Sequence, residues 1–255
     1  MARVVEIEDG FWNIRGSFKL LGLVDLGTQA SLVRLSSGEF VLLDCYTLEG
    51  EVEARVRSLT RGGDAIEAIV NLHPFHTLHV KPVAASFPHA RLYGTSRHRA
   101  KMPELDWAPE LTEGAAFAER FASDFDFMVP DGVELIPDDE KLHFGSVLAI
   151  HRATRTLHVD DTLNWMPLPW GGTLAFHPTL AKVLEPRAGA ANEFRAWAER
   201  LAQRCEEVDH ICTAHARLAP KSIEGPGAIA GRVRGALERV EKTLARHETR
   251  HGAAA

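Results

Sequence analysis

The chain has 255 residues, 45% of them hydrophobic and 25% charged, as is typical of a globular protein that buries a core. Its net charge is −6, and glutamates interrupt the one basic stretch at residues 232–250, so nucleic acid is not expected as the main partner. No apolar run approaches the ~20 residues that span a bilayer, and residues 1–12 show no signal-peptide pattern.

The first part of the chain predicts strands followed by an alternation of helices and strands. The segment SLVRLSSGEFVLLDCY predicts a hairpin that turns at residues 36–38 and continues into a buried strand ending at Asp44. Apolar residues at helical spacing follow in residues 50–59, and AIEAIVNL then predicts a core strand. VKPVAASFPHARLYGT predicts a short helix, a turn and another strand.

The second part repeats this order after a long connection. Residues 97–130 are rich in proline, tryptophan and acidic groups, and predict a connection with one helix at 114–122. VELIP and SVLAIHRATRTLHVDDTL predict strands, NEFRAWAERLAQRCEEV an amphipathic helix, and HICTAH a further strand. We therefore expect a four-layer αββα sandwich, with two mixed β-sheets flanked by helices; a single doubly wound sheet is the alternative. We expect residues 1–225 to form this one domain, and a C-terminal helix in 226–255 to pack on it and end in frayed residues.

Residues suited to metal binding lie at the predicted strand ends. His73 ends a core strand, and His76 and His79 follow at intervals of three residues. If the segment becomes helical after Pro74, His76 and His79 share a face. A single histidine at a strand end is more often an ordinary core or surface residue. The prediction of a metal site therefore depends on several candidates lying at strand ends together. The further strand-end candidates are Asp44, His143, Asp161 and His215.

The order of these residues resembles that of the metallo-β-lactamase superfamily, over about residues 15–220. LHPFHTLH stands where that superfamily has His-x-His-x-Asp-His, and LHFGSV, with His143, stands at its His-x-x-Gly-Ser motif. VDDTL stands at its Gly-Asp-Thr motif, with Asp161 as the metal-bridging aspartate, and TAHARL, with His215, stands at the last histidine.

The first motif departs from the superfamily pattern. Read without a gap, its second histidine falls at Phe75, its aspartate at Thr77 and its last histidine at Leu78. In the hydrolases this aspartate binds the second metal and helps to orient the attacking water. FHTLHV and TLHVDDTLN resemble a poorly characterised branch with a degenerate first motif, and its members have no assured activity.

The resemblance implies a metal-dependent hydrolase that acts on a small molecule of unknown identity through a metal-activated water. One or two divalent ions are implied, with zinc expected first and iron or manganese as alternatives. Asp161 is the catalytic candidate, and Asp160 is a candidate to orient a ligand imidazole. The implied metal ligands are His73, His76, His79, His143, Asp161 and His215.

The segment after the bridging aspartate is a candidate substrate wall. Trp165, Trp170 and His177 lie in NWMPLPWGGTLAFH; a surface segment packed on the sandwich is an equal alternative.

Other interpretations remain open at this stage. The fold could be catalytically inactive and retained as a binding or structural module, as Thr77 and Leu78 suggest. Redox chemistry at a di-iron centre is disfavoured, because the first motif lacks a glutamate and the chain is too short for a flavin domain as well. The three well-separated cysteines predict reduced thiols in a cytoplasmic protein without a membrane partner, and the C-terminal helix could form a homodimer.

Overall fold

Most of the predicted strands and helices are present in the described chain. A computed structural model describes residues 2–20, 24–168, 171–215 and 227–252. The strands are β1 Arg3–Glu8, β2 Phe11–Gly16, β3 Lys19–Leu20, β4 Val24–Asp25, β5 Thr28–Arg34, β6 Phe40–Leu43, β7 Ile66–Val70, β8 Arg91–Gly94, β9 Trp107–Leu111, β10 Phe125–Met128, β11 Leu148–His151, β12 Thr156–Val159, β13 Leu163–Leu168, β14 Gly171–Phe176 and β15 His210–Thr213. The helices are α1 Gly50–Leu59, α2 Val80–Ser86, α3 Ser96–Lys101, α4 Ala115–Arg120, α5 Leu180–Val183, α6 Ala190–Arg204 and α7 Ala228–His251.

The first sheet has seven strands in the order β1-β2-β5-β6-β7-β8-β9. Its neighbours are antiparallel as far as β6 and parallel from β6 to β9. The parallel pairing of Leu43 with Val70 brings the carboxyl ends of β6 and β7 together. Asp44 and the first histidine segment therefore leave the sheet at the same edge.

The second sheet has four strands in the order β10-β11-β12-β15. Strands β12 and β15 are parallel, and Val159 pairs with Thr213. The segments that follow them, Asp160-Asp161 and Ala214-His215, consequently leave this sheet at a common edge. Strands β13 and β14 form a separate hairpin.

Three hydrophobic clusters separate four layers and confirm the predicted αββα sandwich. The first sheet packs on α1 and α2 through residues such as Leu42 and Val56. The two sheets pack on each other through Phe11 and Val147. The second sheet packs on α6 and α7, with Trp197 at the centre of that cluster.

Each of these clusters contains one cysteine. Cys45 lies between the first sheet and its helices, Cys212 between the sheets, and Cys205 between the second sheet and its helices. All three thiols are unpaired and buried. Burial raises the pKa of Cys205 and Cys212 to about 12 and holds the pKa of Cys45 well above its ordinary value.

The C-terminal helix α7 packs along α6. Its apolar stripe, which includes Ile229, Val233 and Leu244, is buried in the same cluster as Trp197. Arg195 on α6 also forms ion pairs of 2.7 Å with both Glu241 and Glu248. No described helix is long and apolar enough to cross a membrane.

The structure departs from the sequence interpretation in the connection at residues 97–130. This segment contains α3, β9, α4 and β10 rather than one helix. Pro109 lies within β9, which forms an edge of the first sheet, where a missing N–H costs no ladder hydrogen bond. VELIP is not a strand, since Val133 makes only an isolated bridge to Leu184.

Candidate metal centre

Asp44 holds the start of the histidine segment against the end of β6. Its backbone lies in the left-handed region, with φ of 55°, and its side chain is buried. Carboxylate atom Oδ1 accepts hydrogen bonds from the backbone N–H groups of Leu72, at 2.8 Å, and His73, at 3.4 Å. The carboxylate therefore fixes the backbone from which the first histidine projects.

His73 and His76 form a stacked pair directed at Asp161. A turn closed by a 3.1 Å hydrogen bond from His76 N–H to the His73 carbonyl brings the two rings to a centroid separation of 3.9 Å. His73 Nε2 lies 3.2 Å from Asp161 Oδ2, and His76 Nε2 lies 3.7 Å from the same oxygen. Two nitrogen ligands from the first sheet thus meet a carboxylate from the second.

His215 reaches the other oxygen of the same carboxylate. Its Nδ1 donates to the Gly27 carbonyl at 3.0 Å, which directs Nε2 toward Asp161. The separation between His215 Nε2 and Asp161 Oδ1 is 2.7 Å. This contact is an ion pair without regular hydrogen-bond geometry, because Asp161 Oδ1 has no hydrogen-bond partner among the described residues.

His73, His76 and Asp161 form a group that suits a single divalent ion, and His215 adjoins this group through Asp161. Ligand atoms of His73, His76 and Asp161 all lie within 4.8 Å of one another. Tetrahedral zinc with bonds of about 2.0–2.1 Å separates its ligand atoms by about 3.3 Å, close to the observed spacings. His73 Nε2 and Asp161 Oδ1 are both buried without a hydrogen-bond partner in the described chain, as expected for atoms that serve a metal. Imidazole and carboxylate ligands suit zinc, iron and manganese.

The charges of the site are strongly coupled. Burial would lower the pKa of His76, but the hydrogen bond to Asp160 and the nearby Asp161 carboxylate outweigh it and hold that pKa well above its ordinary value. Burial lowers the pKa of His73 to about 4. Burial would raise the pKa of Asp161, but the electrostatic interaction with His73 and the close contact with His215 hold it well below its ordinary value. Asp161 is therefore an anion able to accept a cation.

A second buried group, Asp44, His158 and Asp160, lies beneath the first and was not found from the sequence. His158 Nε2 lies 2.9 Å from Asp44 Oδ2, and its Nδ1 lies 2.9 Å from Ser31 Oγ. Asp160 bonds His76 through one oxygen and Gln29 through the other. Because all of these atoms have hydrogen-bond partners, this group supports the site without requiring an ion. A polar residue at position 158 inside the apolar strand TLHV was the available signal.

Two of the six predicted ligands are engaged elsewhere in the structure. His79 Nδ1 lies 2.8 Å from Thr47 Oγ1 and accepts a hydrogen bond from the Thr47 N–H. His143 stacks on Phe75 at a centroid separation of 4.9 Å, and its Nε2 lies 2.7 Å from the Glu140 carbonyl. The structure thus brings together four of the predicted ligands and places these two at the margin.

A cavity of about 600 Å³ opens over the site. Its wall includes His76, Asp161 and His215, as well as His79 and His143. Apolar side chains and one lysine complete much of the wall, namely Phe18, Leu26, Phe75, Leu78 and Lys141.

The predicted substrate residues lie in different places. His177 lines the cavity, and its Nδ1 accepts a hydrogen bond from the Thr179 N–H. The Trp165 ring packs in the β13–β14 hairpin over Gly172, with the Arg232 guanidinium 5.0 Å from the ring centroid. It is not among the described residues of the cavity wall, and its role in substrate binding stays a prediction. A glycine opposite the indole leaves room for it on the hairpin. Trp170 lies outside the described residues.

Comparisons with known proteins show the fold. No protein-family profile and no curated protein sequence matches the chain. The structure is similar to DIM-1 metallo-β-lactamase, with a TM-score of 0.61 and 12% identity over 94% of this chain and 98% of that one. It is also similar to a metallo-β-lactamase from Erythrobacter litoralis, with a TM-score of 0.60 and 14% identity over 93% and 96% of the two chains. A metallo-β-lactamase from Pontibacter korlensis gives a TM-score of 0.56 and 13% identity over 93% and 99%. The chain has the metallo-β-lactamase fold.

Proposed function

We propose that this chain, with its metallo-β-lactamase fold, is a metal-dependent hydrolase that acts on a small molecule. The observation that carries the proposal is the convergence of three imidazoles and one carboxylate beside an open cavity. Two of their ligand atoms, His73 Nε2 and Asp161 Oδ1, are buried and lack hydrogen-bond partners among the described residues. Its structural neighbours are named metallo-β-lactamases, which supports the reaction class.

The residues favour one ion rather than two. In the resembled family an aspartate at the position of Thr77 binds the second ion, and the motif's last histidine is also absent, at Leu78. Leu78 is 70% exposed and points away from the core. The second buried group is held by its own hydrogen bonds, so it does not replace the missing ligands. A single zinc is the first expectation, with iron or manganese as alternatives.

The chain's own residues suit hydrolysis at this centre. A bound divalent ion supplies a Lewis acid and lowers the pKa of water toward about 7. Burial lowers the pKa of His177, which keeps its ring neutral. Since a backbone N–H donates to His177 Nδ1, the ring hydrogen lies on Nε2, from which it can donate to a substrate oxygen.

The cavity wall favours a substrate with an apolar portion. Phe18, Leu26 and Leu78 line it together with the histidines, and Lys141 adds a positive charge. We expect the apolar portion to contact these side chains while the hydrolysed bond lies at Asp161. With its buried thiols, the protein is proposed to act in the cytoplasm.

One observation favours the alternative of an inactive binding or structural module. The Phe75 N–H donates to His73 Nδ1 at 3.2 Å, which places the hydrogen of a neutral ring on Nε2, facing Asp161. His76 and His215 also lie against aspartates, so the site could persist as a hydrogen-bonded cluster without metal.

Elemental analysis of untagged protein separates the two functions. We expect about one equivalent of a transition metal in the wild type and its loss in Asp161→Asn. His143→Ala should retain the metal, because that ring is stacked on Phe75, and Asp124→Asn, at a buried aspartate bonded to Ser36, is the control. A wild type that takes up neither zinc, iron nor manganese would support the inactive module. If metal is found, esters, thioesters, lactones, phosphodiesters and β-lactams form the substrate panel.

A further inference from the structure

Asp160 occupies the position at which the resembled family has the glycine of Gly-Asp-Thr. Its side chain is buried at the end of β12 and lies between two polar partners. Oδ2 is 3.1 Å from His76 Nδ1, and Oδ1 accepts a hydrogen bond of 3.1 Å from Gln29 Nε2. A residue with no side chain has thus been replaced by a carboxylate in direct contact with a proposed metal ligand.

The orientation of the Gln29 amide is fixed by its other neighbours. Its Oε1 accepts hydrogen bonds from Arg15 at 3.1 Å and from Asn13 at 3.0 Å. Its Nε2 donates to the carbonyl oxygens of Val159, at 3.0 Å, and Cys212, at 3.2 Å. A guanidinium can only donate and a carbonyl can only accept, so the amide cannot be turned over. Gln29 therefore presents a donor to Asp160.

We propose that Asp160 is a positioning residue that holds His76 with its hydrogen on Nδ1 and so presents the Nε2 lone pair to the metal. The inference rests on the proposed function, because it assigns a role to one ligand of that centre. The carboxylate accepts from Gln29 at one oxygen and from His76 at the other. A carboxylate that orients the outer nitrogen of a ligand histidine is an effective way to fix both tautomer and ring direction.

An amide cannot replace this carboxylate. In Asp160→Asn the side-chain NH₂ must face either Gln29 or His76. Facing Gln29 it would set a donor against a donor, since the Gln29 amide is fixed. Facing His76 it would need Nδ1 as an acceptor, which moves the ring hydrogen to Nε2 and blocks that ligand atom. Loss of such an outer partner typically lowers metal affinity by about 10–100-fold.

The test compares the wild type, Asp160→Asn and the control Asp124→Asn. Asp124 is also a buried aspartate, but it accepts hydrogen bonds from Ser36 and Ser123 and takes no part in the centre. Zinc affinity is measured by chelator competition, and the His76 tautomer by long-range proton–nitrogen spectra of histidine-labelled protein, assigned with His76→Gln. We expect the hydrogen on His76 Nδ1 in zinc-loaded wild type. In Asp160→Asn we expect zinc affinity to fall about 10–100-fold with one equivalent still bound at saturation, and no change in the control.

The outcomes separate this inference from the function on which it rests. Zinc-loaded wild type with the His76 hydrogen on Nε2 overturns the positioning role, as does Asp160→Asn with unchanged affinity and tautomer. A wild type that binds no zinc overturns the proposed function. In that case both ring nitrogens of the metal-free protein carry hydrogen, and an Nδ1–H shift typical of a hydrogen bond in the wild type shows whether Asp160 orients the ring; a shift typical of a solvent-exposed Nδ1–H overturns the hydrogen bond. The wild-type spectra also decide the matter if Asp160→Asn does not fold.

Discussion

The Arg15 guanidinium on β2 donates a hydrogen bond of 2.7 Å to the carbonyl oxygen of Thr213 at the end of β15. It also donates to the Ala214 carbonyl at 3.1 Å, and it is 5% exposed. A single cation from the first sheet therefore binds the backbone of the second sheet immediately before His215. The position of the last proposed ligand depends on a residue that contacts no ion itself.

Replacing this cation should weaken both the fold and the centre. Arg15→Met keeps an unbranched side chain but leaves the Thr213 and Ala214 carbonyls without this donor, and Gln29 Oε1 keeps only Asn13. We expect a loss of about 2–4 kcal/mol in the free energy of unfolding, because buried acceptors remain unpaired. Urea unfolding measures this loss. Arg55→Met, which removes an exposed ion pair of 3.7 Å to Glu6, should cost less than about 1 kcal/mol, and equal losses in the two variants would contradict the assignment.

Metal binding should strengthen as the pH rises. Although burial opposes it, the hydrogen bond to Asp160 and the nearby Asp161 carboxylate hold the pKa of His76 well above its ordinary value, so the metal-free ring is protonated near neutrality. A metal at Nε2 must displace that proton, and the apparent affinity should rise about tenfold for each pH unit below the His76 pKa. Chelator-competition titrations between about pH 6 and 8 measure the slope. In His76→Gln the slope of the logarithm of the affinity against pH should fall by one, because one fewer proton is released. A wild-type affinity independent of pH would refute this prediction.

Two glycines should respond in opposite directions to alanine. Gly132 has φ of +71°, and a Cβ there would overlap the Ala190 carbonyl oxygen. Gly132→Ala should therefore destabilise the protein by more than about 2 kcal/mol. Gly231 lies in α7 with open space around its Cβ position, and Gly231→Ala should stabilise by about 1 kcal/mol. Thermal unfolding of the two variants tests the pair, and shifts of the same sign would show that one of these environments is wrongly described.

Acid should destabilise the protein in part through His151. This ring is buried against Phe11 and Phe125, and burial lowers its pKa to about 4. In the unfolded chain His151 has a pKa near 6.5, so between about pH 6.5 and 4 it binds a proton only when the protein unfolds. Stability present above about pH 6.5 is therefore lost as the pH falls toward 4. His151 thereby contributes roughly 3 kcal/mol to the loss in the free energy of unfolding on acidification.

The check is urea unfolding at several pH values. His151→Gln should lose less stability on acidification than the wild type by about that amount. His89→Gln, at an exposed position, should follow the wild type. Parallel pH profiles for wild type and His151→Gln would exclude this source of acid sensitivity.

Local patterns were sufficient for much of the fold. Apolar periodicity located α1 and α6, because each of these helices buries one regular face. Continuous apolar runs located β6 and β7, which are buried on both faces. The sequence did not predict edge strand β9. An edge strand forms hydrogen bonds with a neighbouring strand on one side only, so it tolerates proline and acidic residues. Its composition is therefore that of a loop.

Only those site residues that follow strands in the sequence could be predicted. Strand ends indicated His73, Asp161 and His215, because parallel strands bring their carboxyl ends together. Sequence spacing could not show that the His143 ring lies flat on Phe75, which depends on contacts between distant segments. Nor could it pair Asp160 with Gln29, 131 positions away, through a hydrogen bond between the two sheets.

The positions of the three cysteines allow unfolding to be followed through the reactivity of their thiols. Each thiol belongs to a different hydrophobic cluster, but Cys45 also lines the cavity over the centre, whereas Cys205 and Cys212 are fully buried. An alkylating reagent should therefore modify Cys205 and Cys212 only after the corresponding layer opens, and Cys45 first. Peptide mass mapping over time would then give separate opening rates for Cys205 and Cys212. Their order would show whether the second sheet parts from its helices before or after it parts from the first sheet.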